Sequence, residues 1–369
     1  MSLIQTLHAH LKHYHEIPFV DFMQLALYAP GEGYYSSGLQ KLGSQGDFTT
    51  APELSPLFGQ CLANQCQQIL SVVTNPCIFE YGAGTGKLCV DILKQLEKNQ
   101  SLPEAYLILE VSGDLRDRQK KWIHQEIPHL ADKVKWLDGW PNHLINGVIL
   151  ANEVLDAMPV HRFLQSHQGL MESYVALDEQ GELIERFKPS LNERLKDYVQ
   201  QHLSLSVPYL TEANLFLDDW LKNNFNILEQ GAMILIDYGF PRHEYYHPDR
   251  NQGTIMCHYQ HHSHTNPFAN PGEQDITAHV DFTHVAEAGD KAGFHIAGYT
   301  NQASFLLSNG LLSLVNELVT EREQLQAKQA IKQLTQPSEM GELFKVIALT
   351  KALDIDLQGF LLHDKRVSL

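Results

Sequence analysis

The chain has 369 residues, with 44 acidic against 27 basic side chains, so its formal net charge is −17. A nucleic-acid-binding domain commonly has a pI above ~9, whereas the sequence pI is about 5.5. The hydrophobic content of 43% supports a core, and the charged content of 19% is too low for a disordered chain. These values exclude a general nucleic-acid binder. At roughly 100 to 200 residues per domain, the length allows two domains or one large α/β domain with insertions.

The cysteines and the hydropathy pattern indicate the compartment. The chain has five cysteines, an odd number, and no two are separated by two residues, so we expect reduced thiols and no zinc site of paired cysteines. No stretch approaches the ~18 apolar residues of a membrane helix, so we expect no membrane insertion. Arg116 is the first arginine, which argues against an arginine-rich import sequence. We therefore expect a cytoplasmic protein.

Residues 1–70 predict helices joined by a glycine-rich loop. Leu3, Leu7 and Leu11 share one face of a helix from Ser2, and a second helix is predicted over 19–28. Glycine-rich stretches follow. We predict that this part is a helical lead-in with a capping loop and no strand of its own.

From residue 76 the pattern alternates between strands and helices. Strands are predicted at 77–79, 105–109, 134–137 and 147–150, with helices near 88–96 and 113–125 between them. Such alternation predicts parallel strands with right-handed helical crossovers. Residues 71–162 are therefore predicted to be the first part of an α/β core with a mostly parallel, doubly wound sheet.

The alternation is interrupted after the fourth strand. Three short strands are predicted at 161–165, 171–177 and 182–187, followed by helices at 191–203 and 211–229. We interpret residues 163–230 as an antiparallel and helical insertion on the substrate or partner side. The core resumes over 231–369, with a buried strand at 232–237, a helix at 281–292, a strand at 294–299, two further helices and a closing strand at 344–351.

A glycine-rich segment follows the first strand of the core. It reads EYGAGTGK over residues 80–87, where a strand turns into a helix, and glycines there let a ligand approach the backbone. A phosphate-binding P-loop would need glycine instead of Tyr81 and serine or threonine instead of Leu88. The dinucleotide fingerprint would need glycine instead of Lys87. Neither nucleotide class fits.

The remaining pattern is similar to the first motif of Rossmann-like methyltransferases that use S-adenosylmethionine. Its residues are Glu80, Gly82, Gly84 and Gly86. Glu110 ends the next strand, 110 − 86 = 24 residues later, where an acid can accept hydrogen bonds from both ribose hydroxyls. Asp138 follows the third strand, where it can meet the adenine amino group. We predict that these residues bind the cofactor. The alternative is a tight turn with Glu80 and Glu110 as solvated strand ends.

Four blocks of the sequence resemble the MidA-type family, which includes the mitochondrial arginine methyltransferase that assists assembly of respiratory complex I. They are GDFTTAPELS at 46–55 with Phe58 and Gly59, EYGAGTG at 80–86, NEVLDAMPV at 152–160 and PGEQDITAHVDF at 271–282. The resemblance implies a class I methyltransferase fold and S-adenosylmethionine as donor, with S-adenosylhomocysteine as product. It also implies arginine in a protein as acceptor, such as a respiratory-complex subunit. Because the import sequence of the mitochondrial members is missing, we expect a bacterial, cytoplasmic relative.

Two acids after the fourth strand are the candidate catalytic residues. If Glu153 and Asp156 begin a helical turn, they lie on one face, three residues apart. Arginine stays protonated and presents a planar fork of donors, which two carboxylates can hold bidentately while they draw off a proton. The alternative is a helix cap with a salt bridge.

The loop before the core is a candidate cap over the methionine end of the cofactor. It contains Asp47, Phe48 and Thr50 in a glycine-rich setting. The alternative is a self-packed loop in which Asp47 is a turn residue.

Other signals leave alternatives open. A group of histidines has no acidic or cysteine partner at ligand spacing, so we predict no metal site there: His258, His261, His262 and His264.

Two functions remain open besides the protein methyltransferase: a non-catalytic assembly factor with a structural cofactor, and a small-molecule methyltransferase. An oligomeric state is also open.

Overall fold

The structure is a computed structural model that describes residues 3–37, 50–204 and 206–369. The chain forms two compact units, each built from three segments. Unit 1 comprises Met1–Lys41, Asp156–Leu217 and Arg242–Val280. Unit 2 comprises Leu42–Leu155, Asp218–Pro241 and Asp281–Leu369. The domain boundaries predicted from the sequence stay a prediction.

The elements are numbered in chain order. The helices are α1 (Leu3–Tyr14), α2 (Phe19–Tyr28), α3 (Ala51–Leu54), α4 (Pro56–Leu70), α5 (Lys87–Lys98), α6 (Gly113–Glu126), α7 (Glu193–His202), α8 (Leu217–Ile227), α9 (Arg242–Tyr245), α10 (Phe282–Ala292), α11 (Gln302–Ser308), α12 (Leu311–Asn316), α13 (Glu321–Thr335) and α14 (Met340–Leu343). The strands are β1 (Glu16–Pro18), β2 (Cys77–Tyr81), β3 (Ala105–Leu109), β4 (Val134–Leu137), β5 (Ile145–Asn152), β6 (His161–Ser166), β7 (Gly169–Leu177), β8 (Leu183–Pro189), β9 (Tyr209–Ala213), β10 (Leu228–Phe240), β11 (Met256–Tyr259), β12 (His262–His264), β13 (Asp275–Thr277), β14 (Val280–Asp281), β15 (His295–Asn301) and β16 (Phe344–Lys351).

Unit 2 contains a mixed, mostly parallel sheet in the order β15-β16-β10-β5-β2-β3-β4. The strands β4, β3, β2, β5 and β10 run parallel, and β16 is antiparallel to both β10 and β15. In register, Tyr81 at the end of β2 lies opposite Leu109 of β3 and Ala151 of β5. The carboxyl ends of these three strands therefore meet at one edge of the sheet, where open α/β sheets bind ligands.

The central strands of this sheet are buried because their sequences are mostly apolar. All five residues of β2 are buried, and so are the apolar residues of β5 and β10 from 148 to 151 and from 232 to 236. Helix α5 packs its Leu88, Ile92, Leu93 and Leu96 face into the same core, together with residues of α4. The predicted strand and helix alternation is confirmed by these elements.

Unit 1 has its own sheet and its own core. Its sheet has the order β1-β7-β6-β9, with β8 paired to β7, and a second small sheet has the order β12-β11-β13. The meander predicted over 161–187 is confirmed as β6, β7 and β8. Buried residues of α1 and α2, among them Leu7, Phe22 and Leu27, form the core together with Val175.

Two predictions for this unit are wrong. The lead-in contributes a strand, because β1 pairs antiparallel with β7, with Glu16 opposite Ala176. The helix predicted over 211–229 begins only at Leu217, because residues up to Ala213 pair with β6 as β9. In both cases pairing with a strand that is distant in sequence decides the local structure.

None of the helices in the described residues is long and apolar enough to cross a membrane. All five cysteines are free and buried, and burial raises the pKa of the Cys61 thiol to about 12. Cys61 and Cys66 are both fully buried in the core of unit 2. These two side chains are therefore packing residues.

Candidate functional site

The glycine loop connects β2 to α5 in unit 2. Gly82, Gly84 and Gly86 all have positive φ angles, of 58°, 54° and 85°, which only glycine adopts at no steric cost. The loop is anchored at both ends, because the Gly82 N–H donates to the Leu109 carbonyl (3.0 Å) and the Gly86 carbonyl accepts from Val90 (3.2 Å). The sequence thus turns sharply at the sheet edge and presents the N-terminus of α5 there.

A side chain from α3, that of Glu53, also binds this loop. The Thr85 hydroxyl donates to a carboxylate oxygen of Glu53 at 2.5 Å, and Thr85 Oγ1 accepts the Lys87 N–H at 3.3 Å. Glu53 belongs to the first family block but was not among the predicted site residues. Its signal is the Thr-Ala-Pro-Glu run at the start of a short helix, with proline in the first turn.

Glu110 lies at the end of β3 and is 8% exposed. Its Oε1 accepts the Ser112 N–H at 2.9 Å, and its Oε2 accepts Gln119 Nε2 at 3.0 Å. Burial raises the pKa of Glu110, and these hydrogen bonds oppose the shift. The same Gln119 amide donates to the Gly84 carbonyl at 2.9 Å, so the predicted ribose acid and the glycine loop share one partner.

Glu80 lies in a different environment from the other predicted cofactor residues. It is 2% exposed, and its carboxyl accepts a hydrogen bond from the Tyr106 hydroxyl at 2.8 Å. Burial raises the pKa of Glu80 to about 8. The charge of Glu80 in turn adds to the raised pKa values of the buried Cys66 and Cys89 thiols. Glu80 therefore holds the end of β2 from within the core. Direct contact of Glu80 with a cofactor stays a prediction that this environment does not favour.

Of the remaining predicted cofactor residues, the structure describes Asp138 and Thr50. The Asp138 side chain is 92% exposed and pairs with Arg116 Nη1 at 2.7 Å. Thr50 is half-buried at the start of α3, where its carbonyl accepts the Glu53 N–H. Asp47 and Phe48 lie outside the described residues. A capping role for these loop residues stays a prediction.

The turn after β5 carries Glu153. It is not helical, because Glu153 has a φ of 53°, in the left-handed region that is uncommon for residues other than glycine. The Glu153 N–H donates to the Ile236 carbonyl at 2.9 Å, and the Leu155 N–H donates to Asp237 Oδ2 at 3.0 Å. The conditional prediction of a helical turn at Glu153 is therefore wrong, since β10 holds the chain in a left-handed bend. Such conformations concentrate at functional sites.

Asp156, in unit 1, is buried at 6% exposure. Its carbonyl accepts the Ala278 N–H at 2.9 Å, which ties it to the fourth family block. Burial raises the pKa of the Tyr35 hydroxyl, and the charges of Asp275 and Asp156 add to the shift. The Tyr35 hydroxyl also bonds both carboxylate oxygens of Asp275, at 3.0 and 3.1 Å. Asp156 thus lies in an acidic, aromatic environment.

The sheet edge of unit 2 fits an adenosine-based cofactor. Three glycines leave the backbone of the loop open, and a Cβ on Gly86 would lie 3.4 Å from Gln119. Asn152 ends β5, next to β2, and its buried Oδ1 has no hydrogen-bond partner in the described part of the chain. Val111, next to Glu110, is 70% exposed, so it offers an apolar contact surface beside the acid. Polar acceptors, an open backbone and an apolar surface are what such a ligand requires.

Sequence reasoning missed three residues that hold this edge. They are Gln119, Glu53 and Asp237, and each is a polar side chain that bonds a segment distant in sequence. Glu53 lies in the Thr-Ala-Pro-Glu run and Asp237 ends the buried run of β10, whereas Gln119 has no signal in the sequence.

The histidine cluster lies in a hairpin. His258 lies opposite Ser263, and Tyr259 lies opposite His262, between β11 and β12. Within residues 3–37, 50–204 and 206–369, no group of three or more His, Cys, Asp or Glu side chains is arranged to hold a metal ion.

Solved structures similar to this chain share its fold throughout. A COG1565 superfamily member from Burkholderia thailandensis, crystallised with S-adenosyl-homocysteine, is 41% identical with a TM-score of 0.95, over 100% of this chain and 96% of that one. A second crystal structure of a COG1565 superfamily protein from Burkholderia thailandensis is 39% identical with a TM-score of 0.92, over the same shares of the two chains.

Curated relatives are more distant but also extend over most of the chain. The human mitochondrial protein arginine methyltransferase NDUFAF7 is 26% identical over 363 residues, 90% of this chain and 80% of the relative. The Drosophila melanogaster homologue is 26% identical over 392 residues, 94% of this chain and 84% of the relative. The model of the Methyltransf_28 family of S-adenosyl-L-methionine-dependent methyltransferases matches residues 61–300.

With its class I methyltransferase fold and S-adenosylmethionine as its cofactor, the chain belongs to this MidA-type family of S-adenosylmethionine-dependent methyltransferases.

Proposed function

We propose that the protein transfers methyl groups to arginine side chains of a protein acceptor. The observation that carries the proposal is the left-handed turn at Glu153, which two hydrogen bonds from 153–155 to the end of β10 stabilise at the ligand-binding edge of the sheet. The curated relatives named as protein arginine methyltransferases support the acceptor class.

Glu153 is proposed to hold the acceptor guanidinium and to take up its proton. Arginine presents a planar fork of N–H donors, which a carboxylate accepts bidentately, so one terminal nitrogen is oriented for in-line displacement. Asp156, three residues further along the chain, is proposed as a further catalytic carboxylate. A buried carboxylate binds a cation more strongly than an exposed one, because less water competes for it.

The cofactor is proposed to lie along the glycine loop, with Gly82, Gly84 and Gly86 next to its methionine end. Glu110 is proposed to accept hydrogen bonds from the ribose hydroxyls, and Asp138 to accept one from the adenine amino group. S-adenosylmethionine supplies an activated methyl group when bound. Glu80, Asp47, Phe48 and Thr50 are proposed as further residues of the cofactor site.

Substitution of Glu153 tests the acceptor role. Glu153→Gln retains the shape and removes the charge, so methyl transfer should fall by at least about 100-fold, since general acid and base groups contribute about that much. Extract of cells that lack the protein, incubated with labelled S-adenosylmethionine, supplies the acceptor, and methylarginine is measured after hydrolysis. Calorimetric affinity for S-adenosylhomocysteine should stay within about threefold of the wild type.

The matched control is Glu179→Gln, which changes an exposed acid in the turn after β7. It should retain both transfer and cofactor affinity. Full transfer by Glu153→Gln would refute the catalytic role. Label in small molecules alone would indicate a small-molecule methyltransferase, and cofactor binding without any transfer would favour a non-catalytic assembly factor.

A further inference from the structure

Gln119 on α6 has three hydrogen bonds that join separate parts of the cofactor edge. Its side chain is fully buried. Its Nε2 donates to the Gly84 carbonyl at 2.9 Å and to Glu110 Oε2 at 3.0 Å, while its Oε1 accepts from Trp136 Nε1 at 2.8 Å. Both N–H groups and the carbonyl oxygen of the amide are thus engaged.

The indole of Trp136 fixes which way the Gln119 amide faces. An indole N–H is a donor only, so the oxygen of the amide must face Trp136. The two N–H groups must then face Gly84 and Glu110, whose oxygens are acceptors only.

Two of these three contacts are made with groups that are expected to meet the cofactor. The hydrogen bond to the Gly84 carbonyl holds the middle of the loop, where Gly84 has a φ of 54°. The bond to Glu110 fixes one carboxylate oxygen, and the Ser112 N–H fixes the other. The carboxylate plane is therefore set before a ligand arrives, which lowers the ordering cost of binding.

We propose that Gln119 is a positioning residue that couples the glycine loop to the ribose acid, and so sets the selectivity of the cofactor site for ribose. The inference rests on Glu110 as the ribose ligand, but it does not depend on arginine as the acceptor. A purely structural Gln119 would affect stability and leave ribose selectivity unchanged.

The test compares S-adenosylhomocysteine with its 2′-deoxyribose analogue in calorimetry. The wild type should bind the ribose form at least about tenfold more tightly, because a site built for a hydroxyl rejects ligands that lack it. In Gln119→Met, which retains the volume and removes all three hydrogen bonds, the Kd for S-adenosylhomocysteine should rise by about 10-fold to 100-fold. The ratio of the two Kd values should approach one.

Gln65→Met is the matched control, since Gln65 is also fully buried and hydrogen-bonded, to Gln68 and to the Gly359 N–H. It should lose stability but retain the wild-type ratio. Trp136→Phe serves if Gln119→Met fails to fold, because it removes the indole N–H that orients the amide and leaves the Gln119 side chain in place. Its ratio should fall by a few-fold, by about the net effect of one hydrogen bond.

Three results would overturn the proposal. The first is a folded Gln119→Met protein, or Trp136→Phe in its place, whose ratio of the two Kd values equals that of the wild type. The second is a wild type that shows no preference for the ribose form. The third is a Glu110→Ala protein with an unchanged ratio. None of these readouts involves the acceptor, so a failure here is distinct from a failure to methylate arginine.

Discussion

At the scale of single residues, Glu80 is the acid whose burial has the clearest energetic consequence. Burial raises its pKa from 4.5 to about 8, the Glu110 charge adds to the shift, and the hydrogen bond from Tyr106 opposes it. The folded state therefore holds the proton more tightly than the unfolded state. The contribution of Glu80 to the free energy of unfolding is therefore largest below about pH 4.5. It declines as the pH rises from there to about 8, and it is constant at higher pH.

Glu80→Gln should remove this decline, because an amide does not ionise and its oxygen still accepts from Tyr106. The variant should gain stability relative to the wild type as the pH rises from 5 to 8, by on the order of a few kcal/mol. Denaturant unfolding at both pH values measures the difference. Glu104→Gln, which changes an exposed acid before β3, is the control. Parallel pH profiles of Glu80→Gln and the wild type would show that the burial of this carboxyl has no such effect.

At the scale of elements, the contact of α4 with α5 depends on a glycine. A Cβ on Gly59 would lie 2.6 Å from Asp91 Cβ and 3.4 Å from a Leu88 methyl. Alanine is favoured over glycine inside a helix by about 1 kcal/mol, but overpacking costs about 1 to 3 kcal/mol. The Asp91 Cβ is close to the backbone and has little freedom to move, so the steric cost should prevail.

Gly59→Ala is therefore expected to destabilise the protein by about 1 to 2 kcal/mol, despite the gain in helix propensity. Denaturant unfolding provides the measurement. Gly113→Ala is the matched control, because a Cβ on this glycine at the start of α6 meets nothing within 4 Å. That variant should be neutral or more stable. A Gly59→Ala protein as stable as Gly113→Ala would contradict the packing argument.

The elements also show what a sequence pattern can predict. β3, β4 and β16 have the predicted bounds, because each is a local apolar run. β1 has three residues and exists because β7, more than 150 positions later, pairs with it. A local pattern carries no information about such a partner.

The candidate site also has local features that the sequence predicts and long-range contacts that it does not. Spacing after a strand located the glycine loop and Glu110, since a loop and a strand end are local features. Gln119 stands in a polar helix sequence, RDRQKKW, and its role arises only from contacts with Gly84, Glu110 and Trp136. Glu153, the left-handed residue of the turn after β5, is neither glycine nor asparagine, and its N–H is held by the Ile236 carbonyl of β10.

At the scale of the whole molecule, the net charge of −17 acts on any charged partner. An acidic protein attracts a basic acceptor segment over distances of about 10 Å at 0.1 M salt, and this attraction acts mainly on the association rate. S-adenosylhomocysteine carries one positive and one negative group near neutral pH, so its net attraction is small. Salt therefore separates the two binding events.

The association rate of a synthetic peptide with several arginines should fall by about tenfold or more between roughly 20 mM and 300 mM salt. Its dissociation rate and the affinity for S-adenosylhomocysteine should change far less. Stopped-flow fluorescence with a labelled peptide measures both rates, and a peptide of equal length with glutamates flanking a single arginine is the control. If both peptides associate with the same salt dependence, the negative charge has no part in acceptor capture, and recognition must then rest on short-range contacts with the arginine itself.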